Sequence, residues 1–264
     1  MAHMTFPETA PYDHGMLDTG DGNRVYWEVC GNPEGKPAVV VHGGPGSGAT
    51  PFWRRYFDPA RYRVVLFDQR GCGRSTPTAG DASTGLATNT THHLIADMER
   101  LRAHLSLDKW LVFGGSWGAT LGMAYAQAHP ERVSEVVLVS VTTTSRAEVE
   151  WVTEGVGVHF PEAWAAYRDA GRPREGERVV DAYARLLADP DPAVRERAAY
   201  DWCRWEETHV RPPGARLPVD FGDSRYADPD VRMTIARLVT LPQALNEQGR
   251  PQCGATPHGS KKVN

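Results

Sequence analysis

Leu111-Val112-Phe113-Gly114-Gly115-Ser116-Trp117-Gly118 is the stretch that decides the fold. A short apolar run leads into it, and the residues that follow, 119–129, are small and apolar. The run predicts a strand buried on both faces, and the small segment predicts a helix packed on a sheet. Between them, Gly114-Gly115-Ser116-Trp117-Gly118 fits G-x-S-x-G. The chain turns so sharply there that side chains two positions either side of the serine would collide, and the turn holds the hydroxyl clear of the sheet. The same five residues also suit a plain glycine turn. The strand before and the helix after are the context that favours a nucleophile. Ser116 is therefore the candidate nucleophile. The helix beginning at Trp117 would aim its positive end at a developing oxyanion.

Working outward, residues 24–29 alternate like a strand, and 38–41 and 63–67 are short apolar runs of the doubly buried kind. Residues 136–139 read as another buried strand. Residues 89–107 carry helical spacing at Leu94, Met98, Leu101 and Leu105. Strands separated by helices predict a mostly parallel sheet. After Thr142 the texture changes to Trp, Arg, Glu and Ala with helical periods. Two amphipathic helices, 181–187 and 193–207, flank Asp189-Pro190-Asp191-Pro192. The expected organisation is a core over 1–142, an all-helical cap over 143–240, and an atypical, disordered tail over 241–264.

Two further loops carry chemistry. His42-Gly43-Gly44-Pro45-Gly46-Ser47-Gly48 follows the 38–41 strand. It has neither the lysine of a phosphate loop nor G-x-G-x-x-G spacing. It reads better as an oxyanion loop, in which the backbone N–H of Gly44 joins that of Trp117 at the substrate carbonyl. Losing one such donor costs about 3 kcal/mol of transition-state stabilisation. His42 reads as a structural hydrogen-bonding residue rather than a base. Asp68-Gln69-Arg70-Gly71-Cys72-Gly73-Arg74-Ser75 is either a polar turn or a hydrogen-bonded brace beside the site, and its two arginines and aspartate favour the brace. Cys72 reads as a packed thiol.

Taken together and in this order, these motifs resemble the proline iminopeptidases, α/β-hydrolases that remove an N-terminal proline from peptides. The lead-in Pro11-Tyr12-Asp13-His14-Gly15-Met16-Leu17-Asp18 is similar, as are Phe160-Pro161-Glu162-Ala163-Trp164 and Trp202-Cys203-Arg204-Trp205-Glu206. The resemblance covers residues 6–240. It implies an α/β-hydrolase fold with a helical cap, Ser116 as nucleophile, and Gly44 and Trp117 as oxyanion donors. It also implies that Glu206 binds the substrate's free amino group, that short peptides with N-terminal proline are the partners, and that no cofactor is needed. A buried carboxylate facing an ammonium selects a free N-terminus. Without the resemblance, Glu206 is a helix surface charge, and Trp202 and Trp205 are core residues.

Two departures from the family pattern stand out. Where some members carry a second amine-binding glutamate, this chain has Ala236-Arg237-Leu238-Val239, with valine in its place. In this fold the triad runs Ser, then Asp or Glu, then His. The strands expected to carry the acid and the base after the cap are absent. Past Ser116 the histidines are His129, His159, His209 and His258, and His258 lies in the atypical tail. The expectation is a chain truncated or frame-altered near Thr240. The reading is a serine aminopeptidase; the alternatives are a catalytically impaired remnant of that family, or another hydrolase such as an esterase. An aspartate-nucleophile hydrolase is disfavoured by the serine at the elbow.

Composition agrees with an enzyme of this kind. The 264 residues are 41% hydrophobic and 23% charged, which permits a globular core. The net charge of -4 implies no basic face, so nucleic acid is not an expected partner. No apolar run approaches the ~18 residues of a membrane span, and the N-terminus has no signal-peptide core. Cys30, Cys72, Cys203 and Cys253 form no C-x-x-C pair, and there is no H-E-x-x-H. Reduced thiols, no metal and a cytoplasmic location are expected. Nothing in the sequence sets the oligomeric state.

Overall fold

The computed structural model describes residues 5–211, 221–222 and 224–241. Strands β1 (Pro11–Gly20) and β2 (Asn23–Gly31) form an antiparallel hairpin. Asp21 and Gly22 turn it at φ 55° and 75°, the positive angles that two-residue hairpin loops require. The alternation at 24–29 predicts β2, whereas β1 carries no such pattern and buries only Thr19. Strands β3 (Lys36–Val41), β4 (Tyr62–Phe67), β5 (Trp110–Gly115) and β6 (Val133–Val139) complete one sheet in the order β1-β2-β4-β3-β5-β6. Only β1–β2 and β2–β4 pair antiparallel; the other neighbours are parallel.

The central strands are buried on both faces, as their apolar runs predict. Val39, Val41, Val65 and Val112 face helix α1 (Thr91–His104) through Leu94, Met98 and Leu101, with Leu121 and Tyr125 of helix α2 (Trp117–Ala128) in the same cluster. Ala38, Val40, Val64, Leu66 and Phe113 pack on the opposite face with Phe57. Each Val, Leu, Met or Phe side chain so buried contributes about 1.5–3 kcal/mol relative to exposure. Register then places the site. Val41 pairs with Gly114, so the loops after β3 and β5 open side by side at the carboxyl edge of the sheet, where open α/β sheets bind their ligands.

One expectation is corrected. Strand β6 was expected to be buried, but Val136, Val137 and Val139 are 43%, 40% and 44% exposed. Hydropathy reports what a strand is able to bury, whereas exposure depends on pairing order. Among the described residues β6 pairs only with β5 and forms the sheet edge.

Residues 143–211 and 224–241 contain helices and no strand. They supply α3 (Arg146–Thr153), α4 (Pro161–Gly171), α5 (Val179–Leu187), α6 (Pro192–Val210) and α7 (Pro229–Val239). Ser145 and Glu148 form a capping box on α3. Asp191 accepts from Ala193 N–H, with Pro192 opening α6, so the Asp-Pro repeat both ends one helix and starts the next. These helices share their own apolar cluster, built on Tyr167, Tyr183, Trp202 and Trp205. Helix α7 returns to the core: Arg237 donates to Ala79 O, Asp81 O and Thr84 O, and Ile235 and Leu238 lie against Gly46. No described helix is long and apolar enough to cross a membrane. The expected tail, from residue 242 onward and including His258, lies outside the described residues.

Candidate active site

Ser116 sits between β5 and α2 at φ 54° and ψ -125°. This is a costly conformation for a residue with a side chain, of the kind held only where the surroundings over-determine it. The surroundings are backbone at Gly114 and Gly118 and an aromatic ring at Gly115. A Cβ on Gly114 would lie 2.7 Å from Gly118 C and closer still to its oxygen. One on Gly118 would lie 2.7 Å from Val41 C and press on Val41 O. A Cβ on Gly115 would strike the Trp53 ring at 2.9 Å. The three glycines of the motif are therefore each required by contact. Ser116 N–H donates to Val139 O at 3.0 Å, which ties the turn to the end of β6. The serine itself is exposed while every neighbour from Gly114 to Ala119 is buried.

The β3 loop faces this turn. A Cβ on Gly43 would lie 3.2 Å from Ser116 Cβ. Gly44 has φ 112°, a region only glycine enters freely, and a Cβ there would meet Gly46 N at 2.6 Å. Ser47 N–H closes the turn onto Gly43 O. Among the described residues neither Gly44 N–H nor Trp117 N–H has a hydrogen-bond partner. Two donors are thus free beside an exposed hydroxyl.

His42 is fully buried, and both ring nitrogens are occupied. Nε2 accepts from Gln69 N–H at 3.0 Å, which leaves the proton on Nδ1 for Gly43 O at 2.9 Å. Burial lowers its pKa and keeps it neutral, outweighing the bond to Gly43. Gln69 completes the circuit: its Nε2 donates to His42 O and its Oε1 accepts from Trp117 Nε1 at 3.0 Å. The histidine is structural, as its sequence context suggests. It locks the β3 loop to the elbow tryptophan through Gln69.

The Asp68–Ser75 loop is the brace it was expected to be. Asp68 accepts from Ala49 N–H, Arg74 N–H and the Arg74 guanidinium. Burial pushes its carboxyl up, but the bonds from the Arg74 side chain and from both N–H groups outweigh this and leave it below the usual carboxylate range. Arg74 also reaches Glu28, which Arg54 holds from the other side, and stacks on Tyr26 at 3.7 Å. Arg70 points away into the core and pairs with Asp97, both side chains 1% exposed. The Cys72 thiol is fully buried, and burial drives its pKa far up.

In the cap, Trp202 and Trp205 are core residues: Trp205 stacks on Tyr167 and Trp202 meets Tyr183 edge to face. Glu206 is not a surface charge. Its side chain is 18% exposed and its Oε2 is buried with no partner among the described residues. Its Oε1 lies 3.8 Å from Arg225, whose other nitrogen donates to Ser47 Oγ at 2.7 Å. Glu206 therefore stands one guanidinium away from the β3 loop. Arg225 belongs to no motif, and its place is visible only in the folded chain. Val239 packs against the cap cluster, so no carboxylate occupies that position.

Among the described residues no imidazole hydrogen-bonds Ser116 Oγ. His129 lies 3.9 Å from Glu131, His159 packs on Trp151, and His209 bonds Trp205 O.

Comparison with known proteins accords with this geometry. A family model described as alpha/beta hydrolase fold matches residues 36–222. A Streptomyces coelicolor protein named "Probable proline iminopeptidase" is 57% identical over 238 residues, 89% of this chain and 71% of the relative. A proline iminopeptidase of Xylella fastidiosa is 50% identical over 202 residues, 76% of this chain and 63% of the relative. The chain thus spans about two thirds of the length of these relatives. Among solved structures, VinJ superposes with a TM-score of 0.54 at 24% identity, over 84% of this chain and 70% of that one, which shows the shared fold. The strained serine between β5 and α2, the glycine loop beside it and these sequence identities lead to one assignment: the chain belongs to the proline iminopeptidase family of α/β hydrolases.

Proposed function

We propose that the chain is a serine aminopeptidase that releases N-terminal proline from short peptides, with residues 143–240 as its cap. The observation that carries the chemistry is the exposed Ser116 hydroxyl on a strained turn, flanked by the free N–H groups of Gly44 and Trp117. Ser116 Oγ attacks the prolyl carbonyl, and the two N–H groups receive the oxyanion, helped by the positive end of α2. Collapse expels the shortened peptide as its amine, to which the base delivers the proton taken from Ser116, and leaves a prolyl ester on Ser116 that water then hydrolyses. The imidazole that takes the serine proton in such a reaction is not bonded to Ser116 among the described residues, and His258 lies outside them.

Glu206 supplies the selectivity in this reading. A carboxylate oxygen buried without a partner is costly, and an ammonium from the substrate's N-terminus satisfies it. The names of the relatives agree with a prolyl substrate. The buried thiols of Cys30, Cys72 and Cys203 suit the cytoplasm. No step calls for a cofactor.

The test joins two variants. Ser116→Ala should abolish labelling by a fluorophosphonate and any prolyl-amide turnover while leaving the fold intact. Glu206→Gln should weaken prolyl-amide substrates more than simple esters, because a charge-assisted bond of about 1.5–3 kcal/mol is lost. Equal loss on both substrate types would assign Glu206 a structural role, and unchanged labelling of Ser116→Ala would remove the nucleophile.

A further inference from the structure

Arg225 makes three contacts, each to a different part of the site. One nitrogen donates to Ser47 Oγ at 2.7 Å, the other to Tyr226 Oη at 2.9 Å, and the latter lies 3.8 Å from Glu206 Oε1. Its guanidinium also covers the Tyr226 ring at 4.8 Å, and that ring is buried in the cap cluster. The arginine is thereby anchored on the cap while reaching the core. Ser47 is no passive acceptor. It closes the turn onto Gly43 O, and its Oγ and N lie 3.0 and 2.8 Å from where a Gly44 Cβ would stand. Gly43 O and the Gly44 N–H belong to one planar peptide unit, so a displacement of Ser47 is passed through its bond to Gly43 O to the Gly44 N–H.

We propose that Arg225 is a positioning residue that links occupancy of Glu206 to the setting of the Gly44 N–H. This rests on the reading of Glu206 as the ammonium-binding carboxylate. With the site empty, Arg225 partly neutralises Glu206 and holds Ser47. A substrate ammonium arriving at Glu206 meets a second cation there and repels it, and the repulsion is transmitted along the guanidinium to Ser47 and Gly44. The same cation weakens ammonium binding. Arg225 therefore lowers affinity for the free N-terminus and in exchange aligns an oxyanion donor when that N-terminus is present. A reciprocal coupling of this kind must appear in both binding and conformation.

The experiment uses the whole chain and two probes, prolinamide and N-acetylprolinamide, with affinity from calorimetry and the Gly44 and Ser47 amides followed in 1H–15N spectra. In the wild type, prolinamide should shift both amides and the acetylated probe should not. Arg225→Met should bind prolinamide about three- to tenfold more tightly, modest because the arginine is part-exposed and screened. It should lose the amide shift. Arg225→Lys keeps the charge without the fork, so affinity should stay near wild type while the shift is lost. Ser47→Ala, which leaves Arg225 on Glu206, should do the same and serves if Arg225→Met does not fold. Arg225→Met that is folded but binds no more tightly, or a persisting shift in Ser47→Ala, overturns the proposal. Glu206→Gln separates the two readings. If it binds prolinamide as the wild type does, or if the wild type does not bind it, the ammonium site itself is wrong. If it binds more weakly while Arg225→Met is unchanged, only the role of Arg225 fails.

Discussion

Gly118→Ala puts the geometry of the elbow to a quantitative test. The added methyl would stand 2.7 Å from Val41 C and 2.9 Å from His42 O, with Val41 O nearer still. Ordinary contact begins near 3.4 Å, so the first turn of α2 has to retreat from the end of β3 by at least about 0.7 Å. Two effects oppose one another. Alanine is favoured over glycine inside a helix by about 1 kcal/mol. Overpacking costs typically 1–3 kcal/mol, and here the obstacle is backbone on both sides, so the upper end applies. The net expectation is a loss of about 2 kcal/mol. The retreat also separates Trp117 N–H from Gly44 N–H, because β3 runs straight into the Gly44 loop. A misplacement approaching 1 Å costs on the order of 10²-fold in rate at a reacting centre. Urea unfolding followed by tryptophan fluorescence measures the first effect, and the rate of fluorophosphonate labelling at Ser116 relative to wild type measures the second. Gly85→Ala is the control, since nothing lies within 4 Å of a Cβ there. A Gly118→Ala protein with wild-type stability and labelling would falsify the account of why the motif needs its glycines.

Two further outcomes concern stability. Asp97→Asn should lower unfolding free energy by about 3–5 kcal/mol in urea, because it leaves the buried Arg70 guanidinium with only the half-exposed Asp21 carboxylate at 3.5 Å as counter-charge; a change below about 1 kcal/mol would mean that Asp21 and the Thr19 and Thr88 carbonyls on Arg70 suffice. The Glu99 carboxyl, hydrogen-bonded by Arg102 and by Tyr125, is drawn down from 4.5 to about 2 despite its partial burial. A carboxyl with a depressed folded pKa adds stability above its unfolded value and loses it as pH falls through the folded one, so this contribution should fade between about pH 4.5 and 2. Glu99→Gln should flatten that part of the acid limb, and an unchanged urea midpoint profile across this range would contradict the assignment.

The elbow, the parallel core and the helical character of the cap are legible in the sequence because each rests on local rules. A strand buried on both faces needs a continuous apolar run, a tight strand-to-helix turn needs glycines, and an amphipathic helix needs apolar residues at helical spacing. Ser116, Gly44 and Trp117 were singled out on these grounds, and the fold brings all three to one edge of the sheet. The sequence also reads His42 as a structural hydrogen-bonding residue, and the fold buries it with both ring nitrogens bonded.

What only the tertiary structure decided are the facts that depend on which strand lies beside which. The exposure of β6 follows from its place at the sheet edge among the described residues, and its valines alone would have buried it. β1 takes its strand form from pairing with β2, not from its own pattern. The division of labour between Arg70 and Arg74, four residues apart in one loop, appears only once Asp97 stands behind one and Asp68 with Glu28 beside the other. Arg225 is the extreme case. It reaches Ser47 across 178 positions of chain, and no periodicity or motif encodes a contact between residues so far apart. Local rules determine what each segment is able to form; long-range packing determines which charges meet, and the candidate site is made of both.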